Sequence, residues 1–164
     1  MTHNATPDDL RFMKIAYDEA KRSFDEQNGI PVGAVLAVGD RELARGHNNR
    51  NQLKNRILHG EMDCLKNLEL RPLPTGATLY TTLNPCVMCA GAIIQFGIER
   101  VVIGQERVTA PRQAAFVGRA DMLADHGVEI VMLHNPECEA LFAQFLASPK
   151  GLEHWLADIG KEFR

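Results

Sequence analysis

The sequence predicts an α/β fold, a three-layer α/β/α sandwich around a mixed, mostly five-stranded sheet. Short apolar or β-branched runs (Val32 to Val38, Ala77 to Leu83, Arg100 to Ile103, Val128 to Leu133) alternate with segments of helical spacing. One early pair of strands is joined by a tight turn at Gly39-Asp40-Arg41, which makes part of the sheet antiparallel. No repeat, low-complexity stretch or linker interrupts the 164 residues, so a single domain is expected over 1–164.

Thr6-Pro7-Asp8-Asp9 starts the first helix. Thr6 caps, Pro7 suits the first helical position, and Asp9 stands three after the cap. Leu10, Met13, Ala16, Tyr17, Ala20 and Phe24 then keep helical spacing until Asn28-Gly29. Val32 to Val38 and Glu42 to Gly46 form the hairpin. The amide-rich run His47 to Gln52 suits a solvated loop, or a source of hydrogen bonds to a polar ligand. Gly60 to Leu70 is a second helix, and Arg71 to Gly76 breaks it. Ala77 to Leu83 is a strand. Asn84 as cap and Pro85 at the first position start a third helix through Phe96, with Gly97 at its C-terminus. Val87, Met88, Ala90, Ala92, Ile93, Ile94 and Phe96 make it apolar nearly all round, which predicts burial. Gln105 to Gly118 loses periodicity. After the strand Val128 to Leu133, Pro136 to Ala147 is a helix with Cys138, Leu141, Phe142 and Phe145 inward. A last helix from Leu152 carries the only tryptophan, Trp155.

Composition narrows the function. A hydrophobic fraction of 45% with 24% charged residues is that of a globular protein. The net charge of −3 argues against nucleic acid as the main partner, which would need clustered cations. No run of 18 apolar residues exists to span a membrane. The N-terminus lacks a signal-peptide pattern, so a cytoplasmic location is expected.

The chemistry gathers at two stretches. Cys86 and Cys89 follow Pro85 at a strand-to-helix turn, where the first helical turn favours thiolates. Cys-x-x-Cys alone fits a redox pair as well as a metal site. His59-Gly60-Glu61 shifts the balance to metal. Residues two apart point to nearly opposite sides of a helix, so His59 must lie at or before a helix N-terminus if both reach one site. Gly60 then permits a tight turn and a close approach to a ligand. His59, Cys86 and Cys89 make three zinc ligands, which leaves the fourth position for water, as in catalytic sites. Cys64 lies five residues after His59, about 140° round a helix, and is expected in the core. Cys138 is expected to be buried too. Glu61 is then free to act on the water.

His-x-Glu followed by Pro-Cys-x-x-Cys is the zinc deaminase signature, and the chain resembles the cytidine deaminase superfamily along most of its length. Within it the sequence is most similar to the yeast-type cytosine deaminases, which act on the free base. The resemblance runs through Ile15 to Ala20, Gly29 to Gly33, Arg45 to Asn48, Leu58 to Glu61, Thr78 to Cys86, Gly91 to Ile94 and Trp155 to Gly160. It implies a cytidine deaminase-like fold with residues 151–164 as a C-terminal lid helix. It implies one catalytic zinc on His59, Cys86 and Cys89, with Glu61 shuttling protons. Asn48 and Gly60 are then substrate-binding, Asp158 accepts from a ring N–H, and Trp155 and Ile159 cover the base. Without the resemblance, Asn48 is an ordinary turn amide and Asp158 a surface carboxylate.

The resemblance also implies a small-molecule nucleobase as substrate, cytosine first, in a salvage role, and a homodimer formed near the third helix. The chain departs from the pattern after the fourth strand. The aromatic expected there falls near Thr109, in a longer segment with Arg107, Arg112 and Phe116. A changed wall would admit a larger base, which keeps guanine or another purine as an alternative. The tRNA adenosine deaminases share Pro85 to Ala92, but their basic C-terminal helix is missing here. A non-catalytic zinc-stabilised module is the remaining alternative, and it requires a fourth protein ligand.

Overall fold

A computed structural model describes residues 5–69, 72–106 and 118–159, apart from the side chains of 158 and 159. The element order is α1 (Pro7–Gln27), β1 (Gly33–Val38), β2 (Arg41–His47), α2 (Gly60–Lys66), β3 (Ala77–Leu83), α3 (Val87–Gln95), β4 (Arg100–Gln105), α4 (Ala120–Asp125), β5 (Glu129–Met132), α5 (Pro136–Ala147) and α6 (Gly151–Ile159). The five strands form one sheet in the order β2-β1-β3-β4-β5. β1 runs antiparallel to β2 and β3, whereas β3, β4 and β5 are parallel. The mixed five-stranded sandwich expected from the sequence is the fold observed.

Alternation along the strands assigns residues to the two faces. Leu36, Leu79, Val101 and Ile103 pack with Cys64 and Leu65 of α2, Ala90 and Ile93 of α3, and Leu123 of α4. Val35, Tyr80, Val102 and Val131 pack on the opposite face with Phe12, Met13 and Ala16 of α1 and Cys138 of α5. A third cluster closes one end of the sheet. Ile30, Val32 and Leu83 meet Phe142 and Phe145 of α5 and Trp155 of α6.

The start of α1 follows the expected chemistry. Thr6 Oγ1 accepts from the Asp9 amide and Asp9 Oδ2 accepts from the Thr6 amide, a reciprocal capping box. Asp9 also accepts two bonds from Arg100, at 2.7 and 3.0 Å, which ties α1 to β4. Burial opposes ionisation of Asp9, but the Arg100 and Thr6 bonds outweigh it and hold the carboxyl below its usual range.

Three expectations are corrected. α3 begins at Val87 with Cys86 as its cap, not at Pro85 with Asn84. The Asn84 side chain instead accepts from the Ala120 amide. α3 is not buried all round: Val87 is 57% exposed and Phe96 is 44% exposed, because only Cys89, Ala90 and Ile93 face the sheet. The short α4 has no counterpart in the sequence reading. It has six residues and buries one of them, Leu123, so no periodic pattern could reveal it. Residues 107–117, where the altered pocket wall was expected, lie outside the described residues.

Asp9→Asn should destabilise the fold by about 2 kcal/mol near neutral pH, because a charge-assisted pair is lost. The Asp9 pKa is depressed by folding, so its contribution is present above the unfolded value of about 4 and fades as pH falls through the folded value. Urea unfolding of both proteins between about pH 7 and pH 3 should show the gap between them closing at the acid end.

Candidate active site

Two helix N-termini converge beside the central strand β3. His59 is the N-cap of α2 (φ −67°, ψ 166°), so its side chain projects ahead of the helix, as the His-Gly-Glu spacing required. Cys86 is the N-cap of α3 (φ −72°, ψ 173°), and Cys89 follows on its first turn. The strand-to-turn change after Leu83 and the proline at 85 place them there. The Ala90 amide closes the first turn onto the Cys86 carbonyl at 2.8 Å.

The three ligand atoms lie within 4.8 Å of one another. Cys86 Sγ is 3.5 Å from His59 Nδ1, Cys89 Sγ is 3.7 Å from it, and the two sulfurs are 3.7 Å apart. A tetrahedral zinc with Zn–S of about 2.3 Å and Zn–N of about 2.0 Å requires S···S edges of about 3.8 Å and S···N edges of about 3.5 Å. The triangle therefore fits zinc. A hydrogen bond from the Cys89 thiol, opposed by burial and helped by His59, brings the Cys86 pKa down to about 4. Cys89 is pushed up by the same bond and by burial. A site that keeps one sulfur as thiolate before any cation arrives suits a cation.

Glu61 is 3% exposed and points into the same region. Burial, then the Cys86 thiolate, pushes its carboxyl above the usual range. Its Oε1 lies 3.2 Å from Thr81 Oγ1, whose other neighbour is the Leu83 carbonyl at 3.1 Å. Thr81 is buried on the β3 face that also carries Leu79, so alternation aims it at α2. The sequence reading missed Thr81. A polar residue at an inward position of a buried strand was the available signal.

The other expected residues divide. Asn48 directly follows β2 and is buried. Its amide donates to the Val32 carbonyl at 2.8 Å, and its side-chain oxygen accepts from the Arg50 amide at 3.1 Å. Its carbonyl accepts from Ser23 Oγ and Gln52 Nε2. Gly60 has a packing reason for being glycine: a Cβ there would stand 2.7 Å from the Val32 carbonyl oxygen. The close approach expected of Gly60 is thus an approach to its own chain. Trp155 is buried against Phe142, with ring centroids 5.0 Å apart, beside Val32 and Leu83. The side chains of Asp158 and Ile159 lie outside the described ones. Cys64, with Sγ on the Ala44 carbonyl, and Cys138 are buried in the core, apart from the triangle, as expected.

Comparison with known proteins agrees with this geometry. Residues 6–105 match the cytidine and deoxycytidylate deaminase zinc-binding region. The cytosine deaminase of Candida albicans is 40% identical over 159 residues, covering 95% of this chain and 99% of that one. The tRNA-specific adenosine deaminase of Bacillus subtilis is 44% identical over 103 residues, covering 60% of this chain and 62% of that one. A solved chain from a study of A-to-I editing by tRNA:A34 deaminases superposes with a TM-score of 0.58 at 32% identity, covering 76% of this chain and 98% of that one. The chain belongs to the cytidine and deoxycytidylate deaminase family, and it is a zinc-dependent hydrolytic deaminase.

Cys86→Ser and His59→Ala should each reduce bound zinc from about one ion per chain to a small fraction of that. Cys64→Ser and Cys138→Ser should leave it unchanged. Metal analysis after gel filtration gives the comparison, and retention of zinc by the first two variants would exclude the triangle as the site.

Proposed function

We propose that this deaminase acts on a free nucleobase, converting cytosine and water to uracil and ammonia. The observation that carries this reading is the extent of the similarity. Identity to the Candida albicans cytosine deaminase spans 95% of the chain, whereas the match to the Bacillus subtilis tRNA deaminase spans 60%. The full-length match takes in α6, which packs Trp155 against Val32 and Leu83 at the edge of the site.

In this reading His59, Cys86 and Cys89 hold the zinc. Bound there, zinc supplies a Lewis acid that makes water acidic enough to attack near neutral pH. Glu61 takes the proton released as the water oxygen bonds to C4 of cytosine. It delivers that proton to N3, then carries the second water proton to the amino group as the C4–N bond breaks. Burial suits Glu61 to this work, because it raises the pKa towards the operating pH. Thr81 restrains its carboxylate. Backbone N–H groups at the starts of α2 and α3 face the region where charge develops.

Asn48 reads the base edge. Its side-chain oxygen is taken by the Arg50 amide, which leaves the NH₂ group to donate. It therefore recognises an acceptor such as a ring carbonyl, which cytosine and guanine carry and adenine lacks. Gly60 lines the same edge, and Trp155 covers the base from α6, where Asp158 and Ile159, whose side chains lie outside the described ones, keep the roles the resemblance gives them. The chain forms one domain with α6 at the start of its lid, and residues 160–164 of the expected lid lie outside the described residues. Val87 and Phe96, exposed on α3, suit a homodimer interface. A cytoplasmic salvage role accords with these features, and no helix among the described residues is long and apolar enough to cross a membrane.

Ammonia release from cytosine, 5-substituted cytosines, guanine, adenine, isocytosine and the corresponding nucleosides tests the substrate. Turnover of cytosine with Asn48→Ala raising KM about ten-fold or more is expected, since one base contact is lost. Turnover confined to tRNA, or to guanine, would replace the reading with one of those activities. Glu61→Gln should keep zinc yet lose about 10²-fold or more in kcat. Thr81→Val, nearly isosteric, should lower kcat with little change in KM. Sedimentation should give a species of twice the 18.2 kDa chain mass, reverting to monomer in Phe96→Glu.

A further inference from the structure

The loop after β2 and the helix α6 are joined by one side chain. Arg50 Nη2 donates to the carbonyl oxygen of Ala157 at 2.9 Å, across 107 residues of sequence. Arg50 Nη1 donates to the Asn51 side chain at 3.2 Å, which steadies the guanidinium. The Arg50 backbone amide is itself the donor to the Asn48 side chain. One residue therefore fixes Asn48 with its main chain and grips α6 with its side chain. Ala157 lies between Trp155 and Asp158, so the grip falls on the turn of α6 that bears both.

We propose that Arg50 is a positioning residue that sets the covering helix α6 in register with Asn48, so that the two sides of the pocket close on the base as one unit. The role in catalysis rests on the reading of Asn48 and α6 given above, whereas the tie itself does not. Other anchors of α6 are not equivalent. Trp155 packs against Phe142, and Gly151 lets the start of the helix approach the Phe145 carbonyl, where a Cβ would come within 1.7 Å. Both contacts hold the helix to α5. The Arg50 bond, at the other end of the helix, reaches from the amide loop to α6. A guanidinium is suited to it, because a planar fork donates to two acceptors at once, where an ammonium offers a point charge. The arrangement places an orienting residue outside the reacting groups, where it acts through geometry alone.

The test uses the full-length, zinc-loaded protein with Arg50→Gln and Arg50→Lys, and Arg22→Gln on the exposed side of α1 as control. Amide hydrogen exchange reads the tie without any substrate. In Arg50→Gln the amides of α6 should exchange about ten-fold faster, with those of β3 and β4 unchanged, since the loss is a single charge-assisted bond. Steady-state kinetics on cytosine should show KM raised about ten-fold with kcat within about three-fold. Zinc content should not change, and Arg50→Lys should fall between. Exchange and KM both within about two-fold of the parent protein would overturn the proposal. So would a uniform acceleration of exchange over the whole sheet, which marks Arg50 as a stability residue only. If no free base is turned over by the parent protein, the substrate reading fails, and the exchange data still decide whether Arg50 holds the helix.

Discussion

The peptide joining Val32 to Gly33 is wedged between four parts of the molecule, and the site is assembled around it. The Val32 carbonyl accepts from the Asn48 amide and lies against Gly60, at a distance no Cβ would tolerate. The Gly33 amide donates to Thr82 Oγ1 on β3, and α1 passes so near that a Cβ at Gly33 would meet the Ala16 carbonyl at 2.1 Å. Entry to β1 thereby fixes the Asn48 turn, the start of α2 and the central strand relative to one another. His59 and Glu61 flank Gly60, so backbone packing there sets their reach towards Cys86 and Cys89, and the Thr81 bond then restrains Glu61. Either glycine replaced by alanine would push two elements apart. The ligand triangle tolerates little such movement, because its edges already match those of a tetrahedral centre.

The site combines two kinds of polar group with different support. The ligands and Glu61 come from helix starts, where unpaired N–H groups favour negative charge. Asn48 comes from a loop held from below by a buried network. Ser23 and Gln52 meet its carbonyl, and His47 pairs with Glu19 at 2.7 Å, lowering the Glu19 pKa chiefly through that bond. Ser23, His47 and Glu19 are buried and partnered, so they resist the rotamer freedom that exposed side chains have. In the proposed reading, rigidity on the side that reads the base and charge on the side that reacts are thus built from separate parts of the chain.

Much of this was legible in the sequence because short-range rules fixed it. The Thr6–Asp9 cap, the strand β3, the inward set of α5 and the placement of His59 ahead of its helix all follow from periodicity and capping. The burial of Cys64 and Cys138, and hence the count of three ligands, followed from the same angular reasoning. What escaped were features set by partners distant in sequence. Thr81 matters through Glu61, Arg50 through Ala157, and Asn84 turned from capping α3 to receiving Ala120. The exposure of α3 was misread because an apolar helix signals burial against something, without saying whether the covering surface lies in the same chain. Trp155 was expected over the base, and its burial against Phe142 makes it at least as much a core residue.

Asn84 gives the fold a further property. Its backbone amide donates to Gln105 at the end of β4, its side chain accepts from Ala120, and the adjoining Pro85 carbonyl accepts from Arg119. The chain from 106 to 118 therefore departs from and returns to the same two residues, immediately ahead of Cys86. A Cβ on Gly118 would collide with the Asn84 side chain at 2.2 Å, so the return point is narrow. Both flanks of this stretch, Gln105 on one side and Arg119 with Ala120 on the other, are thus bonded to the residues that introduce α3. The entry to the cysteines is held from two directions by main-chain bonds as well as by its own helix.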